Sequence, residues 1–323
     1  MPAARAGLAS VFGLVLIMAA PPTTGRSATD PPASDDPVTQ LDEIVVTARR
    51  ADMPIWEVSD GDSTVILAGA ISGVPKDYAW RSDALETATR RSDRILYPQQ
   101  GRLSVGDILR LIWRIRTVAG LPADRTTADY LPPDIQARVD TVMADARNES
   151  WRRRSLLSLG LDLMEKSGYE QRGYGAADVV RRAAREARIP GDPVGTVRGD
   201  DIIDNLITAP PETHAPCIEQ AVGAAEVGPA GASARLDDWR ARRVPEVLAS
   251  PLDRALNVCW PSGDADIAHL LRRQWSDAIR AALEQPGVTL AVVQLRVLAE
   301  PAGVLDQLQA EDREIIGPDW RAD

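Results

Sequence analysis

A nearly continuous apolar run near the end of the chain, VTLAVVQLRVL at residues 288–298, restricts the possible folds more than any other feature. Such a run is typical of a strand whose two faces are both covered, which is the environment of parallel strands in α/β proteins. An amphipathic helical pattern at 265–285 precedes the run and ends at a Pro-Gly pair. Residues 302–312 and 313–317 then predict a helix and an edge strand, so helices and strands alternate in this part of the chain.

The beginning of the folded region predicts the same alternation. Residues 55–69 place Asp60 and Gly61 between alternating apolar residues, which is typical of a β-hairpin. Further elements are predicted along the chain: a helix within 80–93, a strand at 94–98, helices between 105 and 187, a strand within 193–197, and helices at about 200–227 and 234–248. We therefore expect an α/β fold with a central mixed, mostly parallel sheet flanked by helices. A helical insertion at about 100–190 interrupts a domain that spans 53–320.

The N-terminus has the pattern of a secretory signal peptide. Arg5 precedes the apolar run Gly7 to Ala20, and small and polar residues follow it. The run is shorter than the roughly 20 apolar residues that a membrane span needs, and an uncleaved anchor is the alternative interpretation. We expect residues 1–28 to be removed by cleavage after Ala20 or Ala28, which leaves no integral membrane span and places the protein in the periplasm or outside the cell.

Residues 29–52 predict a disordered linker, because they are rich in Pro, Asp, Ser and Thr and have no apolar periodicity. Within this linker, LDEIVVTARR resembles a TonB box, a segment that pairs as an extended strand with TonB. The partner-binding residues would be Glu43, Ile44, Val45, Val46 and Thr47. The alternative is that the segment forms a first strand on the protein's own sheet.

Charge and cysteine content indicate whether the protein binds nucleic acid, forms a disulfide or holds zinc. A formal net charge of −10 argues against a nucleic-acid partner, which requires a concentrated basic surface. In an oxidising compartment the only two cysteines, Cys217 and Cys259, predict one disulfide. A Cys2His2 zinc site that adds His214 and His269 is the alternative, although the spacing matches no compact zinc motif.

Two further residue types have structural interpretations. Widely spaced tryptophans, such as Trp56, Trp113 and Trp239, predict packing in the core or at a seam between subdomains, and not an aromatic binding site. Two acidic pairs, Asp200–Asp201 and Asp237–Asp238, predict helix N-termini, where carboxylates complement the helix dipole.

Several stretches together resemble the TraB/GumN family, which includes PrgY and GumN proteins. They are the opening hairpin MPIWEVSDGDSTVILAG, the following KDYAWRSDALETATRRSDRIL, and the helix with a tryptophan, apolar strand and leucine-rich helix near the C-terminus. The resemblance covers about residues 54–318. It implies a fold shared with metal-dependent hydrolases, in which two Gly-x-x-His motifs and glutamates at strand ends hold a divalent metal such as zinc or manganese.

This chain departs from the family pattern at each ligand position. The first motif keeps Gly69 but has Ser72 in place of histidine, and the second becomes Gln294 to Val297, without glycine or histidine. Tyr97 and Pro98 follow the strand where members have a glutamate, and Arg198 stands where a Leu-Glu pair is expected. The resemblance therefore implies a pseudoenzyme without a metal cofactor.

We expect an exported envelope protein that acts by binding or regulation. One alternative is a hydrolase or peptidase that depends on a metal or on a rearranged site around Ser72, Tyr97 and Arg198, although Ser72 lacks the Gly-x-Ser-x-Gly context of α/β-hydrolases. The other alternative is a TonB-interacting protein.

Overall fold

A computed structural model of the chain describes residues 52–102 and 104–322. The expected signal peptide, the TonB-box-like segment with Glu43 to Thr47, and all but the last residue of the linker lie outside the described residues. The predictions that concern them therefore stay predictions.

A six-stranded mixed sheet forms the centre of the fold, as the sequence predicted. Its strands, in chain order, are β1 (Ile55–Asp60), β2 (Ser63–Ala70), β3 (Arg94–Tyr97), β5 (Gly191–Pro193), β7 (Gly287–Gln294) and β8 (Ile315–Ile316). Their spatial order is β5-β3-β7-β2-β1-β8, in which β5, β3, β7 and β2 run parallel. The remaining strands β4 (Gln100–Arg102) and β6 (Thr196–Arg198) form a separate parallel pair.

The predicted hairpin is present, but its turn lies one residue later than the sequence indicated. Asp60 pairs with Ser63, so the two loop residues are Gly61 and Asp62. Gly61 has a φ of 60°, a left-handed conformation that glycine adopts without a steric cost.

Helices surround the sheet and supply most of the remaining chain. In chain order they are α1 (Asp83–Arg90), α2 (Val105–Ala119), α3 (Pro133–Val142), α4 (Leu156–Lys166), α5 (Ala176–Ala187), α6 (Gly199–Thr208), α7 (Ala215–Val227), α8 (Pro229–Arg240), α9 (Val244–Ala249), α10 (Pro251–Val258), α11 (Ala265–Leu283), α12 (Leu295–Ala299) and α13 (Val304–Ala310). Among the described helices, none combines the length and the apolar character that a membrane crossing demands.

Two hydrophobic cores divide these helices. The first encloses the sheet and takes apolar side chains from α1, α5, α8, α9, α11, α12 and α13. The second is helical, and it joins α3 and α4 to α7, α8 and α10, which follow much later in the chain. The helical region therefore differs from the expected insertion at 100–190 in two ways. Helix α5 lies within that range but packs on the sheet, and helices beyond residue 190 complete the second core.

The C-terminal apolar run is one strand and one helix, whereas the sequence suggested a single strand. Strand β7 ends at Gln294, and α12 follows directly. Leu295, Leu298 and Ala299 are its buried residues. Their spacing of three and four residues places them on one helical face, and the short length of the run concealed this period.

Two smaller predictions are also wrong. Trp56 and Trp239 are buried, but the side chain of Trp113 on α2 is 86% exposed. The carboxylates of Asp237 and Asp238 lie in the last turn of α8, because that helix begins at Pro229, earlier than the sequence indicated. There they are stabilised by side-chain partners, since Tyr78 donates a hydrogen bond to Asp237 and Arg243 pairs with Asp238.

Cys217 and Cys259 form a disulfide, with their sulfur atoms 2.09 Å apart. The bond lies inside the helical core and connects the first turn of α7 to the residue that ends α10. Gly160 of α4 makes room for it, because a Cβ atom at that position would lie 2.8 Å from the Cys217 sulfur.

We predict that replacing both Cys217 and Cys259 with serine lowers the free energy of unfolding by about 4 kcal/mol, because the bond closes a loop with a sequence separation of 42. Urea unfolding of both proteins, followed by far-UV circular dichroism, measures the difference. Addition of reductant is the control, since it should move the wild-type midpoint toward that of the variant and leave the variant unchanged. Equal midpoints for variant and wild type would contradict the prediction.

Glu57 is an ionisable residue buried in the middle of β1. Its side chain is 1% exposed, and neither carboxylate oxygen has a hydrogen-bond partner. Ile66 and Ile316 are its neighbours on the adjacent strands. Burial raises the pKa of Glu57 to about 7, because the charged form loses its hydration without gaining a partner.

The raised pKa makes stability depend on pH. In the unfolded chain Glu57 ionises near its ordinary value of 4.5, whereas the folded protein keeps it protonated up to about 7. We therefore predict that the free energy of unfolding falls by about 3 kcal/mol as the pH rises from 4.5 to 7, and that this contribution stays constant above pH 7. Chemical unfolding of wild type and Glu57→Gln across this range gives the difference. Glu246→Gln, at an exposed residue, is the control and should retain the wild-type slope.

Candidate functional site

The parallel strands end together at one edge of the sheet. We call this the carboxyl edge and define it by Ala70, Tyr97, Pro193 and Gln294, the last residues of β2, β3, β5 and β7. Ala70 and Gln294 are register partners, as are Tyr97 and Pro193. Ligand sites in open α/β sheets lie at this kind of edge, so the carboxyl edge is the candidate functional site.

The loop after β2 contains the first family position. Gly69 is buried within β2, where a Cβ atom would lie 2.7 Å from Leu295 and 3.0 Å from the ring of Trp56. Ser72 is exposed two residues after the strand. The chain then turns at Gly73, whose φ of 75° and contact with the Tyr169 ring both require glycine.

Donors from other elements occupy three carbonyl oxygens of this segment. The Trp239 indole donates to the carbonyl of Gly69 at 2.8 Å. Arg235 Nη1 donates to the carbonyl of Ser72 at 3.0 Å. The backbone N–H of Tyr174 donates to the carbonyl of Val74 at 2.8 Å. The loop is therefore fixed by its backbone, and these oxygens already accept hydrogen bonds.

Arg235 also belongs to a buried ionic network. Its Nε and Nη2 atoms donate to Asp253 Oδ1 at 3.1 and 2.7 Å. Arg296 donates to the other oxygen, Asp253 Oδ2, from Nε at 2.9 Å and from Nη2 at 2.5 Å. The side chains of Arg235 and Asp253 are 2% and 8% exposed. Two guanidinium groups thus share one carboxylate, and the network has a net positive charge beside the Ser72 loop.

The sequence analysis did not predict this network, although the helix that contains Arg235 carries a signal for it. Arg235 lies on the buried face of α8, between the apolar residues Ala232 and Trp239. A charged residue on a buried helical face needs a buried partner. Neither Asp253 nor Arg296 is adjacent to Arg235 in sequence, so the pattern predicts the need for a partner without identifying it.

The remaining family positions are Tyr97 and Pro98, at the end of β3, and Arg198, the last residue of β6. Strand pairing continues past the carboxyl edge between them. Tyr97 is half-buried, and burial raises the pKa of its phenol. Pro98 follows it and is exposed. The chain then pairs again, with Gln100 opposite Thr196 and Arg102 opposite Arg198. Arg198 therefore lies on the separate two-stranded sheet and not in the last row of the main sheet.

The second family motif begins at the end of β7. Gln294 is exposed next to the end of β2, whereas Val297 lies in α12 and packs against the sheet core. The structure thus brings the two motif regions together through the pairing of β2 and β7. Of the described residues in these two motifs, Ser72 and Gln294 present exposed polar side chains, and Val297 offers no donor.

These residue types do not fit a divalent metal. Proline and valine have no donor, arginine is a cation, and a serine with a glutamine is a weak ligand pair in place of imidazoles and carboxylates. His269 is exposed on α11, and His214 is half-buried before α7, where burial lowers its pKa. Within residues 52–102 and 104–322, no group of three His, Cys, Asp or Glu side chains could hold a metal ion.

Comparison with known proteins identifies the family. Residues 54–315, most of the chain, match the model of the TraB/PrgY/gumN family. No curated protein and no solved structure gives a significant match.

We predict that Asp253→Ala lowers the free energy of unfolding by about 3–5 kcal/mol, because it leaves two buried guanidinium groups without their carboxylate. Chemical denaturation of the two proteins measures this loss. Asp277→Ala is the matched control, since Asp277 is 78% exposed and lies 4.0 Å from Arg280; it should cost less than about 1 kcal/mol. A small effect of both substitutions would show that the network is not a structural requirement.

Proposed function

This chain is a member of the TraB/PrgY/gumN family, and from that premise we propose that it is an envelope protein that acts by binding or regulation and not by metal catalysis. By the family resemblance, the carboxyl edge corresponds to the family's site, and the side chains that would hold a metal there are replaced. The proposal concerns an exported protein, and its ligand or partner would contact the exposed surface around Ser72 and Gln294.

The buried guanidinium of Arg235 is the observation that carries the proposal. It donates to the carbonyl of Ser72, in the loop where the family resemblance places the first histidine. A cation in a site of low dielectric raises the free energy of a bound divalent cation, because the two like charges repel. Asp253 is shared with Arg296 and therefore does not neutralise both arginines.

Two observations support the envelope location. Cys217 and Cys259 are at disulfide-bonding distance, and disulfides persist mainly in exported proteins. The N-terminal sequence has the charge and apolar pattern of a signal peptide. Both are expected of a protein that folds after export, in the periplasm or outside the cell.

A hydrolase with a rearranged site is the second candidate, and one observation bears on it. Ser72 is exposed at the carboxyl edge, as an attacking hydroxyl would have to be. However, Ser72 needs a general base, and the raised pKa of Tyr97 keeps that phenol protonated at neutral pH. We therefore favour binding over nucleophilic catalysis.

Metal analysis of protein purified without a histidine tag tests the proposal. We expect far less than one equivalent of zinc, manganese or cobalt after incubation with each ion and desalting. The melting temperature should also be the same with and without the ions, because the described residues supply no donor set that would bind them in the folded state. The double variant Ser72→Ala, Gln294→Ala is the matched control and should give the same values as wild type.

A stoichiometric metal that is lost in this double variant would overturn the proposal, as would hydrolysis that requires it. Metal-independent hydrolysis abolished by Ser72→Ala would instead support the second candidate. A TonB partner is tested separately by a pull-down with and without residues 41–48, in which equal recovery would remove that partner.

A further inference from the structure

The buried ionic network begins directly beyond the carboxyl ends of the two central strands. The last residues of β2 and β7 are register partners, and Ser72 and Arg296 each follow their strand by two residues. Arg235 donates to the carbonyl of Ser72, and Asp253 connects Arg235 to Arg296. The network therefore lies in the part of an α/β sheet where ligands bind.

The network contains two cations and one anion. Asp253 is the carboxylate with which both Arg235 and Arg296 pair in the described chain, and it gives one oxygen to each of them. Burial of a charge without a counter-charge costs free energy, because the lost hydration is not replaced. One additional negative charge would bring the formal charge of the network to zero.

Arg296 has a nitrogen that is available to a ligand. Its Nε and Nη2 atoms donate to Asp253, and Nη2 also donates to the carbonyl of Leu248 at 2.7 Å. Its Nη1 atom has no hydrogen-bond partner within residues 52–102 and 104–322. The side chain is 19% exposed, whereas that of Arg235 is 2% exposed, so the network reaches solvent at Arg296.

The acceptors of the network already receive hydrogen bonds. Both oxygens of Asp253 accept from guanidinium groups, and so do the carbonyls of Ser72 and Leu248. A cation would meet positive charge and occupied acceptors here, whereas an anion would meet a charged donor. The family resemblance places a divalent cation at these motifs, and Arg296 lies within the second one, so the sign of the favoured ligand charge is reversed in this chain.

We propose that Arg296 binds an oxyanion, the carboxylate or phosphate group of a ligand, beside the carboxyl edge. This inference rests on the proposed binding function and names the chemistry of its ligand. Guanidinium nitrogens form charge-assisted hydrogen bonds with both kinds of group. Arg235 contributes its positive charge and holds Asp253, which in turn fixes the guanidinium of Arg296.

Thermal unfolding at constant ionic strength tests the inference on the purified protein in the presence of EDTA. Sodium phosphate or sodium acetate replaces sodium chloride in steps. We expect the melting temperature to rise to saturation with at least one of these oxyanions, because a ligand that binds only the folded state stabilises it. The oxyanion with the lower apparent Kd identifies the preferred group.

Arg296→Gln should raise the apparent Kd at least about tenfold, because it removes a charge-assisted hydrogen bond. Arg138→Gln is the matched control and should keep the wild-type Kd. Arg138 also donates from Nε and Nη2 to one carboxylate, that of Glu226, but it lies on α3 and outside this network. A general effect of phosphate on stability would be the same in both variants.

Ser72→Asp tests the same charge without breaking a buried ion pair, because Ser72 is exposed. A carboxylate in this loop supplies the negative charge that the network lacks, so it should raise the apparent Kd at least about threefold. Ser150→Asp, at an exposed residue before α4, is the matched control and should bind as wild type does. Far-UV circular dichroism of each variant checks its fold.

Equal melting temperatures in phosphate, acetate and chloride would overturn the inference. An oxyanion effect that Arg296→Gln leaves unchanged would also overturn it, and if that variant does not fold, Ser72→Asp decides in the same way. Loss of the effect in the deciding variant, with its control unchanged, supports the inference. No oxyanion effect together with no bound metal would remove this inference alone, whereas a stoichiometric metal would remove the proposed function with it.

Discussion

The parallel pairing of β2 with β7 is the interaction on which the rest of the structure depends. It joins eight residues of each strand, from Ser63 opposite Gly287 to Ala70 opposite Gln294, across more than two hundred residues of sequence. Both strands are buried in the sheet core, so the pairing combines backbone hydrogen bonds with apolar burial. Everything between them in the chain must return to this pairing, and the carboxyl edge exists because these strands end side by side.

Packing and backbone hydrogen bonds fix the loop that contains Ser72 at that edge. Gly69 cannot accept a side chain, because Leu295 and Trp56 lie too close, and the carbonyls of Gly69 and Ser72 accept hydrogen bonds from Trp239 and Arg235. The position of the loop is thus set by packing and backbone bonding. Neither requires a histidine at position 72, so the fold is stable with a serine there.

The helical core and α2 differ in what stabilises them. The helical core buries apolar residues from five helices and contains the disulfide of Cys217 and Cys259, so it has its own source of stability. By contrast, α2 depends on its caps and on α6, and it leaves an apolar stripe in contact with solvent. Exposed apolar area has a free-energy cost that burial would remove.

The sequence by itself determined the α/β class, the hairpin, the disulfide pair, the helix that leads into β7 and the family, because each depends on a local pattern or a short motif. It misplaced the turn at Gly61, treated residues 295–298 as strand and predicted Trp113 to be buried. The last two errors share one cause, since a short apolar run has the same composition in a strand, in a buried helix and in an exposed one. Only the tertiary structure decided that Arg235, Asp253 and Arg296 meet beneath the Ser72 loop, because charge pairing across α8, α10 and α12 depends on packing between segments far apart in the chain.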